Sequence, residues 1–188
     1  LPYYADAGHV TTLAASVQAD IYNVDRTSGA FGDSVTGRFF PQGKIDWRYP
    51  FYRQTGSVLQ LVEPVVGLIV SPNGSNSSDI PNEESNLVNI DDTNLVSIDR
   101  IPGLDRVESG QRAFFGLGGE VHGVGGGHTS LFIGQSYRFH TDDELSDTFG
   151  IERHLSDYVG RLDVVPNDNL NIRFRFRADN TNFAALRN

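Results

Sequence analysis

Leu170-Asn171-Ile172-Arg173-Phe174-Arg175-Phe176-Arg177 alternates without a break, apolar on one side and polar on the other. Successive side chains of a β-strand point to opposite faces, so this octet reads as a strand with one greasy and one cationic face. Working back along the chain, the same period recurs. Tyr158, Leu162 and Val164 oppose Arg161 and Asp163. Leu131, Ile133, Tyr137 and Phe139 oppose Ser130, Ser136, Arg138 and His140. Ala113, Phe115, Leu117 and Val121 oppose Arg112, Glu120 and His122. Further back, Phe39, Pro41, Gly43, Ile45, Trp47, Tyr49 and Phe51 alternate with Arg38, Phe40, Gln42, Lys44, Asp46 and Arg48. Leu13, Ala15, Val17, Ala19 and Ile21 form the first run. Val58 to Ser71 is apolar on both sides apart from Gln60 and Glu63, and its facing stays ambiguous. Seven strands are expected, and no convincing amphipathic helix.

The connections alternate as well. Long segments at 26–37, 72–110 and 142–157 take turns with short ones at Arg53–Gly56, Gly125–His128 and Asn167–Asn169. The short ones carry Gly, Asn, Asp and Pro, the residues tight turns require. Long loops at one end and tight turns at the other are the habit of outer-membrane barrels. Phe39–Tyr52 exceeds the ~9–11 tilted residues that cross a bilayer. Its apolar face carries Phe39 at one end and Trp47, Tyr49 and Phe51 at the other, as two interfacial girdles would. The expected fold is all-β: an antiparallel transmembrane β-barrel segment, about seven strands of a larger up-and-down barrel. Seven is odd and below the eight of the smallest bacterial barrels, and the 188 residues contain no Met. Residues 1–188 are therefore expected to be part of a single barrel domain, with 72–110 as a long ordered loop.

Charge excludes some functions. The net is −9, but 72–110 and 142–157 together hold −11, leaving the rest near +2. An acidic chain of this kind argues against a nucleic-acid partner. There is no Cys, so neither disulfides nor Cys-based zinc sites enter. The five histidines, at 9, 122, 128, 140 and 154, make no ligand spacing, and no cofactor is expected. Gly123-Val124-Gly125-Gly126-Gly127 lacks the Gly-Lys-Ser/Thr of a phosphate loop, and no catalytic constellation can be placed. Asp91-Asp92 and Asp142-Asp143-Glu144 offer hard oxygen ligands, but they match no calcium-loop spacing and read better as solvated charge runs.

The segment 63–117 is more specific. Glu63-Pro64, Ile80-Pro81-Asn82-Glu83-Glu84-Ser85, Asp92-Thr93-Asn94-Leu95, and Asp99-Arg100-Ile101-Pro102-Gly103-Leu104-Asp105-Arg106-Val107-Glu108-Ser109-Gly110-Gln111-Arg112 resemble the LptD family of lipopolysaccharide-assembly barrels, also called organic solvent tolerance proteins. Trp47-Arg48-Tyr49-Pro50 and Ile133-Gly134-Gln135-Ser136-Tyr137-Arg138-Phe139 look like family strands. The resemblance is strong over 44–140 and diffuse outside it. It implies a protein of the Gram-negative outer membrane, embedded in outer-membrane lipid, that delivers lipopolysaccharide to the outer leaflet. It further implies an LptE-type lipoprotein plug inside the barrel, and periplasmic Lpt bridge components reached through an N-terminal jelly-roll domain. No jelly roll and no linking cysteines can be read in these residues, and the lateral gate strands cannot be assigned.

Two groups of candidate residues follow. Lys44, Arg48, Arg112, Glu120, Arg138, Arg161, Arg173, Arg175 and Arg177 are expected to face the lumen. They either contact anionic sugars and phosphates or, the favoured reading, pair with Asp20, Asp46, Glu120 and Asp163. Pro81, Asn82, Asp99, Arg100, Gly103, Asp105, Arg106 and Glu108 are expected to order the long loop. Apolar residues at regular intervals (Leu87, Val88, Ile90, Leu95, Val96, Ile98, Ile101, Leu104) suggest that it is ordered and folds over or into the barrel mouth. In that arrangement Arg100, Asp105, Arg106 and Glu108 would pair with strand groups such as Arg112; the alternative is a solvated acidic loop. The competing functions are a diffusion porin or receptor barrel, and a soluble β-sandwich that binds carbohydrate.

Overall fold

The computed structural model of the chain describes residues 1–24, 34–85, 90–123, 125–140, 154–167, 169–180 and 186–187. Among them there is no helix. Ten strands form one antiparallel sheet: β1 (Pro2–Tyr4), β2 (Val10–Val24), β3 (Ser34–Arg48), β4 (Phe51–Thr55), β5 (Val58–Val70), β6 (Gln111–His122), β7 (His128–Arg138), β8 (Tyr158–Asn167), β9 (Leu170–Ala178) and β10 (Leu186–Arg187). Each pairs with its sequence neighbour, and the order β1-β2-β3-β5-β6-β7-β8-β9-β10 leaves the sheet open, as a segment of a barrel would be.

The seven expected strands are all present. The alternating run read as continuous from Phe39 to Tyr52 is split at Tyr49-Pro50 into β3 and β4. Both halves pair with β5. Pro50 has no N–H to give the ladder, and neither does Pro64 across from it, so the regular ladder is reduced here to Tyr49 N–H donating to the Pro64 carbonyl at 3.2 Å before it resumes. Two short strands are additional: β1 on the edge of β2, and β10 on the edge of β9.

Register fixes the facing of every strand. Asp20 lies opposite Arg38, Lys44 opposite Ile69, Ile69 opposite Arg112, Arg112 opposite Arg138, Phe132 opposite Arg161, and Arg161 opposite Arg175. Directly opposed residues share a face, so the charged positions of six strands form one continuous surface. The same register resolves β5: Val65, Gly67 and Ile69 join the charged face, whereas Val66, Leu68 and Val70 point away.

The other face is bare and apolar. Ile21 is 83% exposed and Phe39 69%, with Val17, Val66, Leu117 and Ile172 also exposed. Aromatics gather at its two ends. Trp47, Tyr49 and Phe51 form a row near the tight turns, Trp47 tilted against Tyr49 and Tyr49 stacked on Phe51 with ring centroids 4.5 Å apart. Tyr137 and Phe139 meet edge to face near the long connections. Between them lies an apolar hollow of about 400 Å³ walled by Pro64, Phe115, Leu117, Ile133 and Tyr158.

Candidate functional site

What covers the charged face is the segment between β5 and β6. Its stem is zipped by Ser71 N–H to the Gly110 carbonyl (3.0 Å) and Gly110 N–H to the Pro72 carbonyl (3.1 Å). Gly110 has φ 94°, a conformation that disfavours side chains, and a Cβ there would stand 3.0 Å from Asn73 Oδ1. Beyond the stem the described residues form no regular ladder, and short polar side chains satisfy their backbone. The Asn76 amide both donates to and accepts from the Val107 main chain, at 2.9 Å each way. Asp105 Oδ2 accepts the N–H groups of Glu83 and Glu84, both at 2.8 Å. Asn82 Oδ1 accepts Ser85 N–H, Asp99 Oδ1 accepts Ile101 N–H, and Asp91 Oδ1 accepts the N–H groups of Thr93 and Asn94. Burial pushes the Asp99 carboxyl up, against the pull of its hydrogen bond from Ile101.

Apolar side chains of this loop make a small core against the charged face. Ile90 and Leu95 pack with Val65, Ile69, Phe114 and Val159, flanked by Val96, Ile98 and Phe132. Leu95 is 0% exposed and sits over Gly134, where a Cβ would come within 2.5 Å of Leu95 Cδ2. A glycine in a strand interior weakens the strand; here it makes the seat for the loop.

Charge completes the attachment, and Glu108 is its centre. Arg100 donates to it through Nε (2.7 Å) and Nη2, Arg138 donates through Nη2, and Arg112 Nε lies 3.3 Å from Oε2. All four side chains are buried. Burial alone would raise the Glu108 carboxyl, but Arg100, Arg112 and Arg138 outweigh it and hold it far below the usual glutamate range. Arg112 also donates to the carbonyls of Leu95 and Ser97, and Arg100 to Ser136 Oγ. Lys44 Nζ reaches the Val96 carbonyl at 2.6 Å, and Arg38 holds the carbonyls of Leu104 and Asp105 while pairing with Asp20.

The remaining expected residues of the charged face pair among themselves. Arg48 meets Asp46 and Glu63. Asp163 bridges Arg161 and Arg173, and Arg177 meets Asp157 at 2.7 Å. The expected acidic partners Asp20, Asp46 and Asp163 are thus all used. Glu120 is not: it faces His122 at 3.1 Å and no arginine. A cavity of about 280 Å³ remains between loop and sheet, with Arg48, Glu63, Asp92, Phe132 and Arg161 among its lining.

Several expectations need correction. Arg106 and the Asp105 carboxylate do not reach the strands. Arg106 donates to the Ile80 carbonyl and Asp105 caps the loop's own backbone, because the nearest unsatisfied groups are local. Leu104 is 60% exposed at the loop tip instead of packed. Asp92 is no solvated charge: its side chain is almost wholly buried, 3.0 Å from Arg161 and 3.2 Å from Arg175. Ile80 and Val107 are buried and were missed, since neither falls on a strand or helix period. Pro81 is half-buried beside the Asn82 cap, and Gly103 (φ 86°) makes the bend before the tip. Leu87, Val88 and the cluster Asp142-Asp143-Glu144 lie outside the described residues. Among the described residues no three His, Asp or Glu side chains are grouped to hold a metal ion.

The family model described as LptD, LPS transport system D, matches residues 1–185. The chain belongs to the LptD family. A search of the curated proteins returns no match. LptD proteins are outer-membrane proteins of lipopolysaccharide transport and assembly, and the LptD match extends well beyond 44–140, where the sequence resemblance was strong. Outside that stretch the chain offers little beyond alternation, the part of the pattern that a barrel strand retains.

Proposed function

We propose that this chain forms part of the wall of the LptD translocon, through which lipopolysaccharide reaches the outer leaflet. The charged face lines the wet lumen, the apolar face meets outer-membrane lipid, and the loop of residues 71–110 shapes the opening. One observation carries this reading: the face that bears Arg112, Arg138, Arg161, Arg173 and Arg175 is paired and partly covered, while the opposite face leaves Ile21, Phe39, Val66 and Leu117 bare. In water such an apolar expanse is an aggregation surface; in a bilayer it is the required one. The apolar hollow at Phe115, Leu117 and Ile133 fits acyl chains for the same reason.

The reaction is passage. Arginines offer forked donors to phosphate and sugar oxygens, and each already shares an Asp or Glu, so a passing anion exchanges with a carboxylate and is not trapped. An LptE-type lipoprotein within the barrel and the periplasmic Lpt bridge are the partners this reading requires. Photo-crosslinking tests it. A photoreactive residue in place of Arg175, in the intact protein in cells, should capture lipopolysaccharide only while transport is energised. One in place of Val66 should capture membrane lipid whether or not transport runs. Equal capture of lipopolysaccharide at both positions, or at neither, would overturn the reading.

A further inference from the structure

Arg112 on β6 and Arg138 on β7 are direct cross-strand partners. Like charges placed opposite each other destabilise a sheet unless an anion lies between them. Here the anion is the loop's Glu108, which takes Arg138 Nη2 on one oxygen and faces Arg112 Nε with the other. Yet Glu108 does not balance the site. It brings its own arginine, Arg100, which grips both carboxylate oxygens. Loop pair and strand pair therefore differ in charge: Arg100 with Glu108 is neutral, and Arg112 with Arg138 remains at +2. The Arg138 side chain is only 5% exposed, and its Nε has no hydrogen-bond partner among the described residues. Asp99, also on the loop, acts on Arg112 from a distance while its Oδ1 holds Ile101 N–H.

We propose that Arg112 and Arg138, with Ser136 Oγ beside them, form a seat for a phosphate monoester, which Glu108 occupies while the loop is closed. A phosphate monoester carries about −1.5 to −2 at neutral pH and offers three acceptor oxygens, matching both the residual charge and the idle donor. The crevice at this point, between Glu108, Gln111, Arg112 and Arg138, is too narrow for a ligand while the loop is seated. Phosphate and loop therefore compete for one place. By linkage, a phosphate that binds the strands favours the open loop, and an open loop favours phosphate. When the loop leaves, Arg100 departs with Glu108 as a neutral pair, so neither half is left with an uncompensated carboxylate. This deepens the translocon reading and rests on it for the lumen's access to ligand, but its test needs no transport.

The test uses the intact protein in detergent micelles. Limited proteolysis within 72–110 is followed as inorganic phosphate is added, against chloride at the same ionic strength. Phosphate should accelerate cleavage several-fold and chloride should not. Calorimetry should then show that Glu108→Gln binds inorganic phosphate about tenfold more tightly than the unaltered protein, and Arg138→Gln about tenfold less tightly. The proteolysis arm keeps the question open to refutation should Glu108→Gln fail to fold. A bisphosphorylated glucosamine-disaccharide lipid, compared with its dephosphorylated form, identifies the source. Stronger loop opening by the phosphorylated lipid than by inorganic phosphate points to a headgroup, and equal opening points to free phosphate. Equal cleavage in phosphate and chloride, or phosphate binding that Arg138→Gln leaves unchanged, would overturn the seat. Either failure would leave the crosslinking pattern expected of the translocon untouched.

Discussion

Glu108 is one carboxylate among three guanidinium groups, and in its ionised form it is one of the contacts that hold the loop down. Its carboxyl is held far below the ordinary glutamate value of 4.5, so the folded state releases that proton more readily than the unfolded chain. The stabilisation is complete above pH 4.5 and is lost as the pH falls below it, because protonation must first break the contacts with Arg100 and Arg138. The protection of the 71–110 amides, taken relative to the intrinsic exchange rate at each pH, should be high at neutral pH and fall progressively in acid. Protection that persists unchanged down to strong acid would deny Glu108 this role. Breaking the cluster outright, by Glu108→Ala, should cost about 3–5 kcal/mol of loop stability, since it strands buried arginines. A denaturant series on loop protection measures it.

Gly134 makes a second prediction at this scale. A Cβ there would approach Leu95 Cδ2 at 2.5 Å and the Phe115 carbonyl at 2.9 Å. Gly134→Ala should cost about 1–3 kcal/mol by overpacking, and Leu95→Ala about 2–5 kcal/mol by leaving a void. Because the new methyl would sit in the space Leu95 vacates, the double variant should lose less than the two losses added together. Simple additivity in the cycle would mean that Leu95 does not rest on Gly134.

At the scale of the element, the loop is a folded unit whose described residues form neither helix nor strand. Its order depends on side chains that imitate a ladder, Asn76 with Val107 and Asp105 with Glu83 and Glu84, and on a core of Ile90 and Leu95 against the sheet. Asn76→Ala leaves a buried N–H and a buried carbonyl of Val107 without partners, a loss of about 1–3 kcal/mol for each. The unaltered loop should resist protease around 73–85 and 91–99, whereas the Asn76→Ala loop should be cut there while the strands stay intact. Rapid cutting of the unaltered loop would show that it is not seated.

Across the whole molecule the two faces should separate cleanly. The absence of Cys lets single cysteines be placed one at a time in an otherwise unreactive chain. An environment-sensitive fluorophore at Val17, Val66, Leu117 or Phe174 should report a lipid environment and be quenched by lipid-borne quenchers. At Gln42, Ser130 or Arg173, on the charged face, it should not. Alternation of this signal from one residue to the next along β9 is the pattern a barrel wall predicts. A uniform response on both faces would refute it.

The strands and their facing were legible in the sequence because both follow from one local rule. Neighbouring side chains diverge, so Leu170 to Arg177 declares its two faces without knowledge of any other strand. The alternation of long and short connections, and the residues that order the loop through their own backbone (Asn82, Asp99, Gly103, Asp105), are local in the same sense. Val58–Val70 was ambiguous because both its faces are apolar, one toward the outside and one toward the loop. Only tertiary structure assigned those faces. It also decided that Asp92 would be buried against Arg161 and Arg175, that Glu108 would lie between Arg112 and Arg138, and that Leu95 would settle on Gly134. Apart from Glu108 with Arg112, four residues on, these pairings join residues 30 to 83 positions apart, and no short-range pattern carries that information. The sequence by itself determined a two-faced sheet and a self-ordering loop; how the loop meets the sheet is a matter of shape and charge brought together by folding.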